Sequence, residues 1–315
     1  MGGDNAPTET VAGAVDASGR GVDVVLVGNP ELLQAELARH DTRLPIVDAH
    51  EVIHMGEDPA TALREKPGAS ITVAARLVAE KSADGMVSAG STGAAMAASA
   101  IIIGRIKGVS RPSIASIFPT PGSPTLVLDS GANPEVKPEQ IVQFAIMGSV
   151  ASEVLLETKD PRVGLLSIGE ERGKGRDLER AAYDLLEQAP IRFVGNVEGR
   201  DVANDKSDVI VTDGFTGNVF LKTMEGAAQV VARYAMEELS KLDPEVQEAA
   251  LPALFSVRQR LDYETYGGAQ LLGVKGVVVI AHGSSSRVAV ANALVMARDG
   301  AERDLPGRLA ARLAS

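Results

Sequence analysis

The sequence contains no cysteine and no tryptophan, and aromatic residues make up only 3% of it. Without cysteine there is no disulfide framework, no thiolate nucleophile and no cysteine-ligated metal; the composition fits a reducing, cytoplasmic setting. With so few aromatics the core must be aliphatic, drawn from the Val, Leu, Ile and Ala that dominate a hydrophobic content of 45%. No uninterrupted apolar stretch is long enough to span a bilayer. The N-terminal MGGDNAPTET has neither the basic region nor the apolar run of a signal peptide, and Ala6 stands where a myristoylation motif needs Ser or Thr. A formal net charge of −11 argues against a general nucleic-acid binder. There is no G-x-G-x-x-G dinucleotide fingerprint and no G-x-S-x-G nucleophile elbow.

What is present centres on Asp208–Gly226, DVIVTDGFTGNVFLKTMEG. Val209–Val211 is a β-branched run of the kind buried on both faces of a sheet. Asp213, Gly214 and Gly217 break it, and Thr216 and Asn218 open an apolar-periodic stretch (Val219, Phe220, Leu221, Met224, Ala227, Val230, Val231, Tyr234) that predicts a helix to about Lys241. A glycine turn from strand into helix leaves backbone N–H groups unpaired at the positive end of the helix dipole, where an anion is favoured. By itself this is equally the mark of an ordinary βα turn with a cap. Four further segments share the build: MVSAGSTGA from Met86, LVLDSGAN from Leu126, VGLLSIGEERGKG from Val163 and VVVIAHGSSS from Val277. In open α/β sheets the ligand lies beyond the carboxyl ends of the strands, so the repetition predicts several loops converging on one anion.

The remaining pattern alternates helices and strands. Helices are expected at Thr8–Ala17, Pro30–Ala38, Ser70–Ser82, Gly93–Ile106, Pro138–Glu157, Arg176–Gln188 and Ser284–Arg298, and strands at Asp23–Val27, Leu44–Ala49, Gly85–Ser88, Val163–Ser167, Ile191–Val194 and Gly276–Ala281. Ile114–Phe118 and Thr125–Leu128, joined by TPGSP, break the alternation and suggest an antiparallel hairpin. The 315 residues suit one large α/β domain or two smaller ones. The simplest architecture is a single three-layer α/β/α sandwich over 1–315 with a mostly parallel sheet, a helical tip at about 240–268 and a basic C-terminal tail at 300–315.

Two motifs need weighing. His50–Glu51–Val52–Ile53–His54 matches H-E-x-x-H, but metal binding by that motif requires a helix. Here a strand precedes it, two β-branched residues lie inside it and Gly56 and Pro59 follow, so it is read as coincidence. GEERGKG (Gly169–Gly175) is one residue short of P-loop spacing and has Gly175 where Ser or Thr would hold Mg²⁺, which disfavours ATP. Lys174, flanked by glycines, is either a mobile cation suited to a phosphate or oxyanion or part of a solvated charged loop. His282, at the end of an apolar strand, is either structural or a catalytic or anchoring group.

Taken together and in order, MGGDNAP, ALREKPGAS (from Ala62), SAGSTGA (from Ser88), LDSGAN (from Leu128), SIGEERGKG (from Ser167), FVGNVEGRD (from Phe193), VTDGFTGN (from Val211), YGGAQLLGVKG (from Tyr266) and AHGSSS (from Ala281) resemble the bacterial phosphate acyltransferases of phospholipid synthesis, the PlsX family, over essentially the whole chain. The resemblance implies transfer of a fatty acyl group from acyl carrier protein to inorganic phosphate. It implies an α/β/α fold related to phosphotransacetylase and isocitrate dehydrogenase, a homodimer with the site near the subunit interface, and no metal or organic cofactor. With no cysteine and no serine elbow, direct attack of bound phosphate on the thioester is the remaining route, and the protein contributes position and charge. Lys174 and Asn218 are then expected to stabilise phosphate or the thioester oxyanion. His282 would orient phosphate or protonate the leaving thiolate, and Asp4 and Asp213 would orient these groups. Ser91, Thr92, Gly93, Gly217, Ser284 and Ser285 are expected to hold phosphate.

The resemblance also implies a strand ahead of MGGD. The alternatives are a misassigned start codon or a sheet one strand short, with Gly2–Asp4 poorly anchored. KPGAS departs slightly from the usual Asn/Ser-rich form. The tip carries Leu251, Leu254 and Phe255 followed by Arg258 and Arg260. It is a helix packed in a dimer interface, an amphipathic contact with the inner face of the cell membrane, or a surface for the acidic carrier protein; a membrane-bound glycerol-phosphate acyltransferase would act downstream. Two other functions stay open: a phosphotransacetylase using acyl-CoA, and a non-catalytic phosphate- or nucleotide-binding regulatory subunit.

Overall fold

The computed structural model describes the backbone of residues 1–261 and 265–314, with side chains for these except 258–261. From the N-terminus, helix α1 (Thr8–Gly19), strand β1 (Leu26–Gly28), α2 (Pro30–Ala38) and β2 (Ile46–Asp48) form a small lobe in which β1 and β2 pair in parallel. α3 (Pro59–Glu65) and α4 (Ser70–Ala79) lead to β3 (Gly85–Ser88). α3 is absent from the sequence expectation although its start is legible. Asp58 accepts the Thr61 N–H, and Pro59, which lacks an N–H, fills the first helical position. α5 (Thr92–Ala98) runs on into a π-helical stretch at Ser99–Gly104.

The larger sheet adds β4 (Ser113–Phe118), β5 (Thr125–Leu128), β6 (Arg162–Leu166), β7 (Arg192–Val197), β8 (Val209–Val211), β9 (Ala269–Leu272) and β10 (Val277–Ile280). Its order is β3-β10-β9-β4-β5-β8-β6-β7. Four of its joints are parallel (β3/β10, β5/β8, β8/β6, β6/β7), so the expected mostly parallel α/β sheet holds. The expected β4–β5 hairpin is also present. β9, which the sequence pattern does not single out, is antiparallel to both its neighbours. Three antiparallel joints in succession reverse the strands overall: β3, β10 and β4 run one way, and β5, β8, β6 and β7 run the other.

The central strands are apolar on both faces, as strands covered by helices on each side must be. Val209 and Val211 of β8, with Leu126 and Leu128 of β5, face a cluster containing Ile141, Phe144 and Met147 from helix α6 (Pro138–Leu155). Ile210 and Val127 face the opposite side, toward Phe220, Leu221 and Met224. Those three belong to helix α8 (Gly214–Leu239). α7 (Asp177–Leu186) contributes Ala182 and Leu186 to the α6 face. A short 3-10 turn at Gly199–Ala203 precedes β8. After α10 (Arg287–Glu302) the expected basic tail forms a docked helix, α11 (Leu305–Ala314). Leu305 and Leu309 are buried in the α6 cluster, and Arg312 pairs with Glu153.

Two features stand apart from this packing. In α8 the buried residues are Gly214, Gly217 and Leu239, so most of the helix stands off the sheet. It and α9 (Pro244–Leu261), which follows, expose Val230, Val231, Tyr234, Met236, Val246 and Phe255. A cavity of about 940 Å³ lies between β1 and β3, walled by Val24–Val27, Ala83–Gly90, Leu77 and Leu294. The start of the chain is nevertheless held. The Met1 ammonium donates to the Val27 carbonyl at 3.1 Å, Ser70 Oγ donates to the Met1 carbonyl at 2.9 Å, and the Asp4 N–H donates to the Gly283 carbonyl at 2.7 Å. The expected weak anchoring of Gly2–Asp4 is therefore corrected: three long-range hydrogen bonds fix it.

Phe144 is 0% exposed and Ile168 is 82% exposed. Phe144→Ala should lower the unfolding free energy by about 3–5 kcal/mol, while Ile168→Ala should stay within about 0.5 kcal/mol; urea denaturation of both variants checks the contrast.

Candidate functional site

Because the strands reverse, the five glycine-rich turns leave the sheet in two directions: the carboxyl ends of β5, β8 and β6 form a first end, and those of β3 and β10 a second. The two are close to one level in the sheet. Val279, next to last in β10, aligns through Gln270 with Ala115, beside the Ser116–Val127 pair near the close of β5. Ala132 of the β5 turn packs on the cluster that holds Ala94, Ala95 and Ile280.

At the first end the turns are tightly interlocked. Asp129, 0% exposed, sits in a cage of donors: the N–H groups of Ile114, Ala132 and Asn133 at 3.0, 3.0 and 2.7 Å, and the Asn133 side-chain amide at 2.8 Å. Burial raises its pKa despite these bonds. The first turn of α8 lies against this loop. A Cβ at Gly217 would fall 1.9 Å from the Asp129 carbonyl oxygen, so only glycine fits. Gly131, at φ +141°, faces Asn218, whose Oδ1 would lie 3.6 Å from a Cβ placed there. Asn218 is itself exposed.

Helix α8 begins earlier than its periodicity suggests, at Gly214 with Asp213 as its cap. Its amides are also less available than expected. The Gly214 N–H donates to Asn133 O (2.8 Å), the Thr216 N–H to Asp213 Oδ1 (2.8 Å) and the Gly217 N–H to Asp213 O (2.9 Å). The carboxylate of Asp213 thus occupies the place the sequence reserved for an anion. It is 2% exposed. Burial pushes its pKa up, but the Thr216 N–H, the Arg176 guanidinium and the Thr216 hydroxyl together hold it below the ordinary aspartate value.

The turn after β6 brings Lys174 to the same end. Lys174 is exposed, and its stem lies over Gly169, where a Cβ would meet its Cγ at 3.0 Å. Arg176, which starts α7, makes ion pairs with both Glu179 and Asp213. Glu179 also accepts the Arg176 N–H at 2.6 Å. Composition and periodicity do not single out Arg176 and Glu179. The signal was the R-x-x-E spacing at a helix start, where an acid at the third position reaches back to the chain entering the helix.

The second end holds the rest. Ser91 caps α5, accepting the Ala94 N–H at 3.3 Å; Thr92 is exposed, and Gly93 leaves room for Pro59, whose Cγ would be 2.8 Å from a Cβ. Gly3, at φ +103°, threads between the Ala89 and Gly283 carbonyls, at 2.9 and 3.2 Å from its would-be Cβ. His282 Nδ1 lies 2.7 Å from Ser284 Oγ, and Asn5 Nδ2 donates to the Ser284 carbonyl at 3.2 Å. The Ser285 hydroxyl is buried without a hydrogen-bond partner. Asp4 is exposed beside Gly283. So Asp4, Ser91, Thr92, Gly93, His282, Ser284 and Ser285 form one group, and Lys174, Asp213, Gly217 and Asn218 the other. Leu251 and Leu254 are half-buried and Phe255 exposed on α9; the Arg258 and Arg260 side chains lie outside the described residues. His50–His54 is not helical, and His50 Nε2 instead meets Asp48 at 3.0 Å.

A family profile described as "Fatty acid synthesis protein" matches residues 1–308. Phosphate acyltransferases from Heliobacterium modesticaldum (50% identical, covering 96% of this chain and 93% of that one) and Acaryochloris marina (46%, covering 98% and 92%) are similar over nearly their whole lengths. The chain belongs to the phosphate acyltransferase family. Members are enzymes of fatty acid and phospholipid synthesis, and this chain is an enzyme of that kind. Among solved structures, a phosphotransacetylase from Streptococcus pyogenes superposes with a TM-score of 0.62 at 15% identity, over 94% of this chain and 92% of that one. The EutD phosphotransacetylase from Staphylococcus aureus does so at 0.58 and 17%, over 92% and 90%. At such identities the likeness establishes the shared fold.

Asp213→Asn should cost about 1–3 kcal/mol at neutral pH. Because the folded pKa of Asp213 is lowered, its contribution is present above the ordinary aspartate range and disappears as pH falls through the folded value. Wild type and variant should therefore converge in stability toward strongly acid pH, which denaturant titrations at stepped pH would measure.

Proposed function

We propose that this phosphate acyltransferase moves a fatty acyl group from the thioester of acyl carrier protein to inorganic phosphate. A phosphate oxygen attacks the thioester carbonyl. The C–O bond forms, the C–S bond breaks and the carrier's thiolate leaves with the electron pair, to be protonated. No residue need be acylated, in keeping with a chain that has no cysteine and no serine elbow. The observation that carries the reading is the meeting of the β5, β6 and β8 turns at one end of the sheet, with Lys174 on one and Asn218 on another. Lys174 supplies charge to phosphate or to the developing oxyanion, and Asn218 supplies an amide donor. Asp213 orders the α8 terminus that presents Asn218.

His282, Asp4 and the serines follow β3 and β10, on turns that leave the sheet in the other direction. Their proposed share is to hold phosphate through Ser91, Thr92, Ser284 and Ser285, with His282 orienting it or protonating the leaving thiolate. We propose a homodimer because α8 and α9 carry an apolar surface that one chain leaves uncovered. The α9 tip is the proposed contact with the membrane surface or the carrier protein, placing the enzyme in the cytoplasm at the inner membrane face, upstream of a membrane glycerol-phosphate acyltransferase.

The deciding experiment is mass-spectrometric detection of acyl phosphate from purified protein, phosphate and acyl carrier protein donor, run against acyl-CoA. Formation from the carrier donor is expected. Turnover of acyl-CoA alone would indicate a phosphotransacetylase, and phosphate binding without product a regulatory subunit. Lys174→Ala should lower kcat by about 100-fold; unchanged synthesis would remove Lys174 from the mechanism. Leu254→Glu should reduce flotation with anionic liposomes, and a wild-type protein that does not float would dispose of the membrane contact.

A further inference from the structure

We infer that Arg176 is a positioning residue of the proposed acyl transfer, clamping the Lys174 turn to the α8 terminus that carries Asn218. The inference rests on the reading of Lys174 and Asn218 as the groups that handle the anion. Each step of the clamp is visible. Gly175 takes φ +100°, and a Cβ there would lie 2.7 Å from Glu179 Cβ and 3.0 Å from Ser167 Oγ. This close seat fixes where the chain leaves the Lys174 turn. Its carbonyl accepts Arg180 Nη1 at 2.7 Å, and the following N–H, that of Arg176, donates to Glu179 at 2.6 Å. The turn is therefore tied to α7 on both sides of the Gly175–Arg176 peptide.

The side chain of Arg176 then crosses to the neighbouring strand's turn. Its Nε donates to Glu179 Oε1 at 3.0 Å, and its Nη2 donates to Glu179 and to Asp213 Oδ2. Asp213 in turn receives the Thr216 N–H and hydroxyl at 2.8 and 2.9 Å, two residues before Asn218. A planar guanidinium can span two carboxylates in a fixed geometry, which an ammonium cannot. Lys174 sits two residues before one end of this clamp and Asn218 five residues after the other. Lys174 and Asn218 are themselves exposed, so the clamp restrains the separation of the segments that carry them. The charged group against Asp213 is Arg176, which it shares with Glu179; the carboxylate of Asp129, on the neighbouring β5 turn, is held by its own cage of N–H groups.

Arg176→Gln should lower kcat for acyl phosphate synthesis by about ten- to a hundred-fold, with little change in KM for phosphate. Its acid limb should move to higher pH, because Asp213 stays buried without its cation. Arg176→Lys keeps the charge but not the span, so it should hold the acid limb near that of wild type while restoring only part of the rate. Hydrogen-exchange mass spectrometry should show residues 168–176 and 212–220 losing protection together in Arg176→Gln. Asp213→Asn keeps the cap and removes the charge, and should reproduce the loss in kcat if Arg176→Gln does not fold. Wild-type kcat and pH profile in these variants would overturn the inference. So would a loss confined to phosphate KM that lysine does not rescue, which would make Arg176 a direct anion ligand, or loosening of 168–176 with 212–220 unchanged. A wild-type protein that makes no acyl phosphate would sink the proposed function instead; the exchange comparison would then decide by itself whether Arg176 joins the two segments.

Discussion

The arrangement of this molecule depends on the reversal of strand direction at the β4–β5 hairpin. Parallel strands deliver their following turns to one edge of a sheet, and each antiparallel joint sends the next turn the opposite way. The two joints of β9 leave β10 and β4 running together, and the hairpin turns β5, β8, β6 and β7 against them. One set of turns is reinforced by buried carboxylates; the other carries serines, a histidine and the glycine loop of the N-terminus. Both sets leave the sheet near its middle, where the register brings Val279 of β10 and Val127 of β5 to within a residue of one level.

At the first end, negative charge inside the protein serves to organise backbone. Asp129 draws four backbone N–H groups around itself, and Asp213 closes the start of α8. Buried carboxylates are tolerated where hydrogen bonds and a cation replace water. Here the price in desolvation is met by amides for Asp129 and by Arg176 for Asp213. The glycines let these elements approach. Gly217 and Gly214 bring α8 against the β5 turn at distances no side chain would allow. A helix terminus capped by its own aspartate offers few free donors, so an incoming anion must rely on side chains such as Lys174 and Asn218.

Much of the fold was legible because its periodicities are strong. Val209–Val211 and Leu126–Leu128 read as strands covered on both faces, and they are; the TPGSP hairpin formed between the strands that flank it. The misses have physical causes. β9 is a four-residue strand among glycines, too short for periodicity to show; it sits antiparallel between β10 and β4, which run the same way. The α3 start was written in Asp58–Pro59 but opens a helix of only seven residues. Individual site residues were identifiable as polar ends of strands; the direction in which each turn leaves the sheet was not, because it follows from strand pairing, of which only the TPGSP hairpin was legible. Asp213 was visible as a turn residue, but its use as a cap depends on Arg176, whose partner lies 37 positions away.

The small N-terminal lobe has a consequence of its own. The lobe is fastened where α1 meets α10, at Gly13 against the Arg287 carbonyl and Val290, and by the Arg287–Asp16 ion pair. A Cβ at Gly13 would lie 2.6 Å from both the Arg287 carbonyl oxygen and Val290 Cβ, so any larger residue there would wedge the two helices apart. Since the Arg287 N–H also donates to Glu9 of α1 at 2.6 Å, the register of α1 is set by the helix that follows the His282 turn.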